Sequence, residues 1–275
     1  MRIWHQSYTD LNRLPGYAAM LARHARAVCG PQTEVELHGL RPGTYPDGVP
    51  PVAIAGYPYA RRLADLQVVE NVMTAERLGY DAVAISCFLD PGLEEARSLV
   101  DIPVLSSCET ALLIASTVAR SFGLLTLDAA MAAHLRHLIA RYGFAGRVAV
   151  VAPLDPPLDE FELDQAFAGS AAFVDRFSAQ AGNLIAAGAD IIIPAEGVLN
   201  VALVRNRVTT IAGAPVLDSY GALLTLAEAM VRLRRTSGLT VSRVGEFARP
   251  PADIVNGLRG IVADIMSANE GPTPR

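Results

Sequence analysis

Two segments of this chain share one construction. GYDAVAISCF, from Gly79, recurs as GADIIIPAEG from Gly188, at a constant offset of 109 residues that also aligns Cys87 with Glu196. Each is a short apolar run of strand type, closed by a small residue, Ser86 or Ala195, with one reactive side chain just beyond it. A second echo follows at a slightly different offset, DIPVLSSCETALLIAS from Asp101 against GAPVLDSYGALLTLAE from Gly213. A repeat of this kind predicts two halves of similar build, each delivering one group, Cys87 or Glu196, to a shared cleft.

Strand-like runs alternate with amphipathic helical stretches, the pattern of an α/β fold whose mostly parallel sheets are covered on both faces. The strand-like runs begin near Arg2, Glu34, Asp81, Ile102, Phe122, Arg147, Asp190 and Ala214, and helical spacing covers 15–28, 61–78, 93–100, 109–119, 129–142, 171–187 and 222–234. With the repeat, this predicts two doubly wound lobes related by a pseudo-twofold axis, 1–118 with 219–275 as one and 119–218 as the other. Ligands of such sheets bind outside the carboxyl ends of the strands, where Cys87, Cys108, Glu196 and Asp218 are expected to gather. The Pro- and Gly-rich run 41–59, carrying Tyr45, Tyr57 and Tyr59, reads as a long loop able to form a lid or pocket wall. LDPPLDE near Leu154 is a second break.

Composition narrows the function classes. A chain of 275 residues that is 51% hydrophobic can bury a full core, and its net charge of −5 without a basic cluster argues against a nucleic-acid partner. No apolar run approaches the ~20 residues of a membrane span, and no leader pattern precedes the first strand, so neither membrane nor signal peptide is expected. Cys29, Cys87 and Cys108 lack C-x-x-C spacing and read as reduced cytoplasmic thiols rather than zinc ligands. No G-x-G-x-x-G or Walker sequence proposes a nucleotide cofactor. His134 and His137 share a helix face, but no third ligand completes metal spacing, so both are expected in solvent. His5 and His38 lie on strands from which either can approach the cleft.

Cys87 stands before Asp90-Pro91-Gly92, and a helix opening there would offer its positive end to a thiolate. The stretch SCFLDPGLEEARSLVDIPVLSSCETAL resembles the Cys-x-x-Asp-Pro-Gly-Leu region of the aspartate/glutamate/hydantoin racemase superfamily, especially hydantoin and allantoin racemases. SFGLLTLDAAMAAHLRHLIARYGFAGRVAVV is similar to that family's second-lobe opening, and GAPVLDSYGALLTLAEAM to its return to the first lobe. The resemblance implies two α/β lobes, no cofactor, a homo-oligomer, and one cysteine from each lobe on opposite faces of a small-molecule substrate with an acidic carbon. It places Cys87 at the first cysteine and Thr126 at a threonine near the substrate. Glu196 stands where the second cysteine would be, and Ser7, Tyr8, Thr9 and Asp10 replace the family's Asn-Pro-Asn-Thr after the first strand.

The candidate site therefore has Cys87 and Glu196 as catalytic groups, with Ser7, Thr9, Thr126, Ser107, Cys108, Phe88 and Tyr57 around the substrate. Ser7, Thr9, Thr126 and Ser107 are hydroxyls able to cradle a carboxylate or imide oxygen, or to cap helices. Cys108, with Glu109 beside it, opens a helix, so packing and capping compete there with chemistry. In a two-base racemase each group is base in one direction and acid in the other. With cysteine near 8.5 and glutamate near 4.3, the thiolate and carboxylic acid together lie about four units, or about 6 kcal/mol, above the thiol and carboxylate. That asymmetry places thiol-based C–N hydrolysis of a small cyclic or linear amide first among the expectations. Racemisation or epimerisation by Cys87 and Glu196 as opposed acid and base comes next, with decarboxylation, cis-trans isomerisation or non-catalytic ligand binding behind.

Overall fold

The structure, a computed structural model, describes residues 1–166 and 171–268, so 269–275 of the expected first lobe lie outside it. Four strands, β1 (Arg2–Ser7), β2 (Glu34–His38), β3 (Ala82–Ser86) and β4 (Val104–Ser106), form a parallel sheet in the order β2-β1-β3-β4. A second parallel sheet has the order β6-β5-β7, built from β5 (Phe122–Thr126), β6 (Val148–Pro153) and β7 (Ile191–Pro194). Parallel neighbours need a crossover, and the chain supplies a helix for it each time. In the first sheet these are α1 (Pro15–Val28), α2 (Pro58–Arg77) and α3 (Leu93–Leu99). After β4 comes α4 (Ser107–Val118), and the second sheet is wound with α5 (Ala129–Arg141), α6 (Glu160–Ala166) and α7 (Ala171–Ala186).

The repeat is visible in the topology. β7 lies beside β5 as β3 lies beside β1, and Val216 bridges Ile192 where β4 pairs with β3 in the first sheet. The expected strand near Ala214 is thus reduced to that bridge plus a two-residue hairpin, β8 (Thr210–Ile211) with β9 (Ala214–Pro215). After β7 comes α8 (Gly197–Arg205), and after the hairpin α9 (Ser219–Ser237), which packs back on β3, β4 and α4 of the first sheet. A last helix, α10 (Ala252–Ala268), is tied to α2 by an ion pair between Arg259 and Glu70. Two apolar clusters cover opposite faces, and each takes residues from both sheets, Val83 with Leu124 in one and Ala84 with Leu125 in the other. Alternation of side chains along each strand puts neighbours of one strand into different clusters.

The Asp90-Pro91-Gly92 motif acts as a joint. Asp90 is buried, with φ 45°, and its carboxylate accepts the N–H groups of Cys108 and Glu109 at 2.9 Å, the Ser106 hydroxyl at 2.6 Å and the Tyr142 hydroxyl at 2.8 Å. It therefore caps α4 from a different loop, taking two of the helix N–H groups that lack partners within the helix. Burial pushes its carboxyl up to about 6, against the pull of those four donors. Gly92, at φ 63°, passes so close to α2 that a Cβ there would stand 2.6 Å from a Val69 methyl carbon. The turn carrying Cys87 is thus pinned from both sides. Asp90→Ala should lower unfolding free energy by about 2–3 kcal/mol, because it uncaps α4 and leaves a tyrosine hydroxyl without its acceptor. Urea denaturation at unchanged m value checks this, and a loss below about 0.5 kcal/mol would remove the joint's structural role.

Candidate active site

Strand register sets which side chains meet at the carboxyl ends. Ser7 pairs with Ser86 at the ends of β1 and β3, so the residues that follow, Tyr8 and Thr9 on one strand and Cys87 and Phe88 on the other, leave the sheet side by side. In the second sheet Thr126 ends β5, and its hydroxyl donates at 3.0 Å to the carbonyl of Ala195, the residue before Glu196. The two ends face one cavity. It has an empty volume of about 490 Å³ including its mouth, and Ser7, Tyr8, Thr9, Ser86, Cys87, Phe88 and Leu89 line it from the first sheet, Met131, Glu160, Glu196 and Val198 from the second. Leu14, Tyr17, Pro51 and Val52 close the remainder.

Glu196 is the N-cap of α8. Its Oε2 accepts the Leu199 N–H at 2.7 Å, and the amides of Gly197 and Val198 also favour its charged form, while burial works against that form and leaves the carboxyl above the ordinary glutamate range. Cys87 is half-buried, and its Sγ accepts the Leu89 N–H at 3.4 Å. Burial pushes this thiol well up, and the nearby carboxylates of Asp90, Glu196 and Asp65 push the same way against that single amide. The expected thiolate at a helix N-terminus is not what the fold supplies. Gly92 is the N-cap of α3, the helix starts only at Leu93, and Asp90 is committed to α4, so Cys87 rests as a thiol.

Tyr17 stands at the seam between the two ends. Its ring is buried, and a Cβ on Gly197 would come within 2.5 Å of its hydroxyl oxygen. Only glycine lets the start of α8 approach that closely. A second contact joins the same regions: α1 has no cap of its own, and Asp164 of α6 accepts the Tyr17 N–H at 2.6 Å. That bond docks α6 against α1 and so fixes where Glu160 sits.

Of the residues expected around the substrate, Ser7, Thr9 and Phe88 reach the cavity wall beside Cys87 and Glu196. Thr126, Ser107 and Cys108 stand behind it: Thr126 is spent on Ala195, the Ser107 hydroxyl donates to the Ile85 carbonyl at 3.4 Å, and Cys108 is packed in the core. Tyr57 stays outside at 67% exposure. The 41–59 loop reaches the cavity through Pro51 and Val52 instead, while Tyr45 is buried and donates to the Tyr8 carbonyl at 2.7 Å. Asp218 is drawn to His24 at 2.6 Å and to the start of α9, not to the cavity. His5 touches the site only through Ser7, at 2.8 Å, and burial holds it neutral, down to about 3. His38 stacks on Trp4, away from the cavity wall. His134, expected in solvent, is half-buried against Arg61 and the Leu89 carbonyl, while His137 is exposed. Glu160 and Tyr17 went unmarked in the sequence. For Glu160 the available trace is the box formed by Asp159 and Glu162, whose side chains exchange hydrogen bonds with each other's amides and start α6.

Among the described residues no group of three or more His, Cys, Asp or Glu side chains is gathered to hold a metal ion, and no helix is long and apolar enough to cross a membrane. Residues 16–227 match the family model for Asp/Glu/hydantoin racemases. The chain belongs to that family. It is 28% identical to hydantoin racemase from Rhizobium meliloti over 66% of this chain and 72% of that protein, and 28% identical to hydantoin racemase from Paenarthrobacter aurescens over 73% and 80%. Among solved structures, allantoin racemase from Klebsiella pneumoniae superposes with a TM-score of 0.74 at 25% identity, covering 91% of this chain and 94% of that one. Arylmalonate decarboxylase shares the fold, at 16% identity and a TM-score of 0.56.

A racemase-family protein with its cysteine in this setting should alkylate slowly at neutral pH. Peptide-resolved iodoacetamide labelling should give Cys87 an apparent acidity above that of free cysteine, near 8.5, with a rate still rising beyond pH 9. A half-maximal rate below pH 7.5 would contradict the resting thiol.

Proposed function

We propose that this protein is a cofactor-independent racemase or epimerase of a small molecule with an acidic carbon beside a carbonyl, with 5-substituted hydantoins as the model substrates, and that Cys87 and Glu196 are its opposed acid and base. The observation that carries this reading is that a thiol and a carboxylate leave matching strand ends of two sheets and line one cavity. Glu196 takes the proton from carbon, the electron pair moves to the adjacent carbonyl oxygen, and the Cys87 thiol returns a proton to the other face of the planar enolate. In the opposite sense a Cys87 thiolate is the base and protonated Glu196 the acid. Membership of a racemase family and hydantoin racemases among the relatives favour this over C–N hydrolysis, which the sequence placed first. A homo-oligomer, cytoplasmic residence and the lobe boundaries given above belong to the same proposal.

Burial raises both groups, so it does not close the gap between them. An equilibrium constant of one forces equal kcat/KM for two enantiomers, so the asymmetry belongs in the separate values: kcat and KM should differ between enantiomers while their ratio does not. In deuterated water, turnover should replace the C5 hydrogen of either enantiomer by deuterium and leave the ring closed. Ring opening, with solvent oxygen in a new carboxylate and no deuterium at carbon, would restore hydrolysis. Glu196→Gln keeps an oxygen to cap α8 but cannot accept the proton, so racemisation should fall by roughly 10²–10⁴ with the fold retained. Near-normal turnover would leave Glu196 a cap and nothing more.

A further inference from the structure

Proton abstraction beside a carbonyl leaves negative charge on that oxygen, and something in the cavity must receive it. Among the described residues the wall contains no Lys, Arg or His. It does contain two buried oxygens without a hydrogen-bond partner among the described residues, Thr9 Oγ1 and Glu160 Oε2. Glu160 is only 5% exposed and opens α6, the helix that the Asp164–Tyr17 bond docks against α1. We propose that Glu160 Oε2 is the group that meets the carbonyl oxygen beside the acidic carbon and steadies the enolate formed there. The inference rests on reading this cavity as the seat of proton abstraction.

Its protonation state fits the task. Burial pushes the Glu160 carboxyl well above the ordinary range, the negative charge of Glu196 pushes it further, and the amides of Glu160 and Val52 recover only part. Glu196, with three amides at its carboxylate, holds the charge, and Glu160 keeps its proton. A buried neutral carboxylic acid then presents an O–H, with no partner of its own, to the cavity. No proton need leave Glu160: as the C–H bond breaks toward Glu196 or Cys87, the electron pair settles on the carbonyl oxygen and the O–H shortens its hydrogen bond to it. The same arrangement disfavours substrates with a free carboxylate, which would enter beside charged Glu196 with no cation to meet them.

The test compares binding of 5-benzylhydantoin with that of 4-benzyl-2-imidazolidinone, the ring lacking the carbonyl beside the acidic carbon, by calorimetry on the full chain. Wild type should bind the hydantoin roughly 10- to 100-fold more tightly. Glu160→Gln retains a donor and should keep most of that preference; Glu160→Leu should erase it, with thermal unfolding showing that both variants are folded. Equal affinity of wild type for the two rings, including no measurable affinity for either, overturns the inference, as does an undiminished preference in Glu160→Leu. Should Glu160→Leu fail to fold, loss of the preference in Glu160→Gln, whose amide still donates, overturns it as well. Deuterium exchange at C5 is read separately in wild type. A protein that shows the Glu160-dependent preference but does not exchange sinks racemisation and leaves the contact standing.

Discussion

Parallel pairing is the constraint from which the site follows. In a parallel sheet every strand presents its carboxyl end to the same side, so the side chains that follow β1 and β3 must emerge together, and those after β5 and β7 likewise. Two such sheets, packed through shared apolar clusters, turn the ends of β1, β3 and β7 toward one cavity. Cys87 and Glu196 need no long-range design beyond this. Their matching places in the repeat become facing places in space, and the capping bonds of Asp90, Glu196 and Asp164 hold the loops that carry them.

The cavity then imposes its own electrostatics. Among the described residues its lining holds two carboxyl groups and a thiol with no Lys, Arg or His, and burial there pushes all three acidic groups toward the protonated form. Local amides decide which one ionises. Glu196 has three, Cys87 one, and Glu160 two with its Oε2 left unpartnered, which fits the proposed order of base, acid and hydrogen-bond donor. The carboxylate at the repeat position of Cys87 thus acts on more than one group: its negative charge pushes both the Cys87 thiol and the Glu160 carboxyl up.

Much of this was legible in the sequence, because the features concerned are periodic or repeated. Strand runs, most helices, the two-sheet plan and the placing of Cys87 against Glu196 rest on patterns that local chemistry enforces. α8 was missed because GVLNVALVR is apolar all round, which hides helical period in a buried helix. α10 was also unread; two glycines interrupt it and its apolar side chains Ile254, Leu258 and Ile261 stay exposed. Thr126, Ser107 and Cys108 were placed one layer too far forward, since a strand-end hydroxyl or thiol has backbone partners in reach as readily as a substrate. Glu160 could not be found from spacing. Its approach to the cavity depends on a bond between residues 17 and 164, and contacts of that separation leave no local pattern.

The central claim is that Cys87 and Glu196 address opposite faces of one carbon, and single-base variants test it most directly. In deuterated water, Cys87→Ala should still exchange the C5 hydrogen of one 5-benzylhydantoin enantiomer, with retention of configuration, because Glu196 alone can remove and return that proton. Glu196→Gln should exchange only the other enantiomer, and faster as rising pH forms the thiolate. Proton NMR with chiral chromatography reads both at once. Exchange of the same enantiomer by both variants, or of both enantiomers by either one, would contradict two groups working from opposed faces.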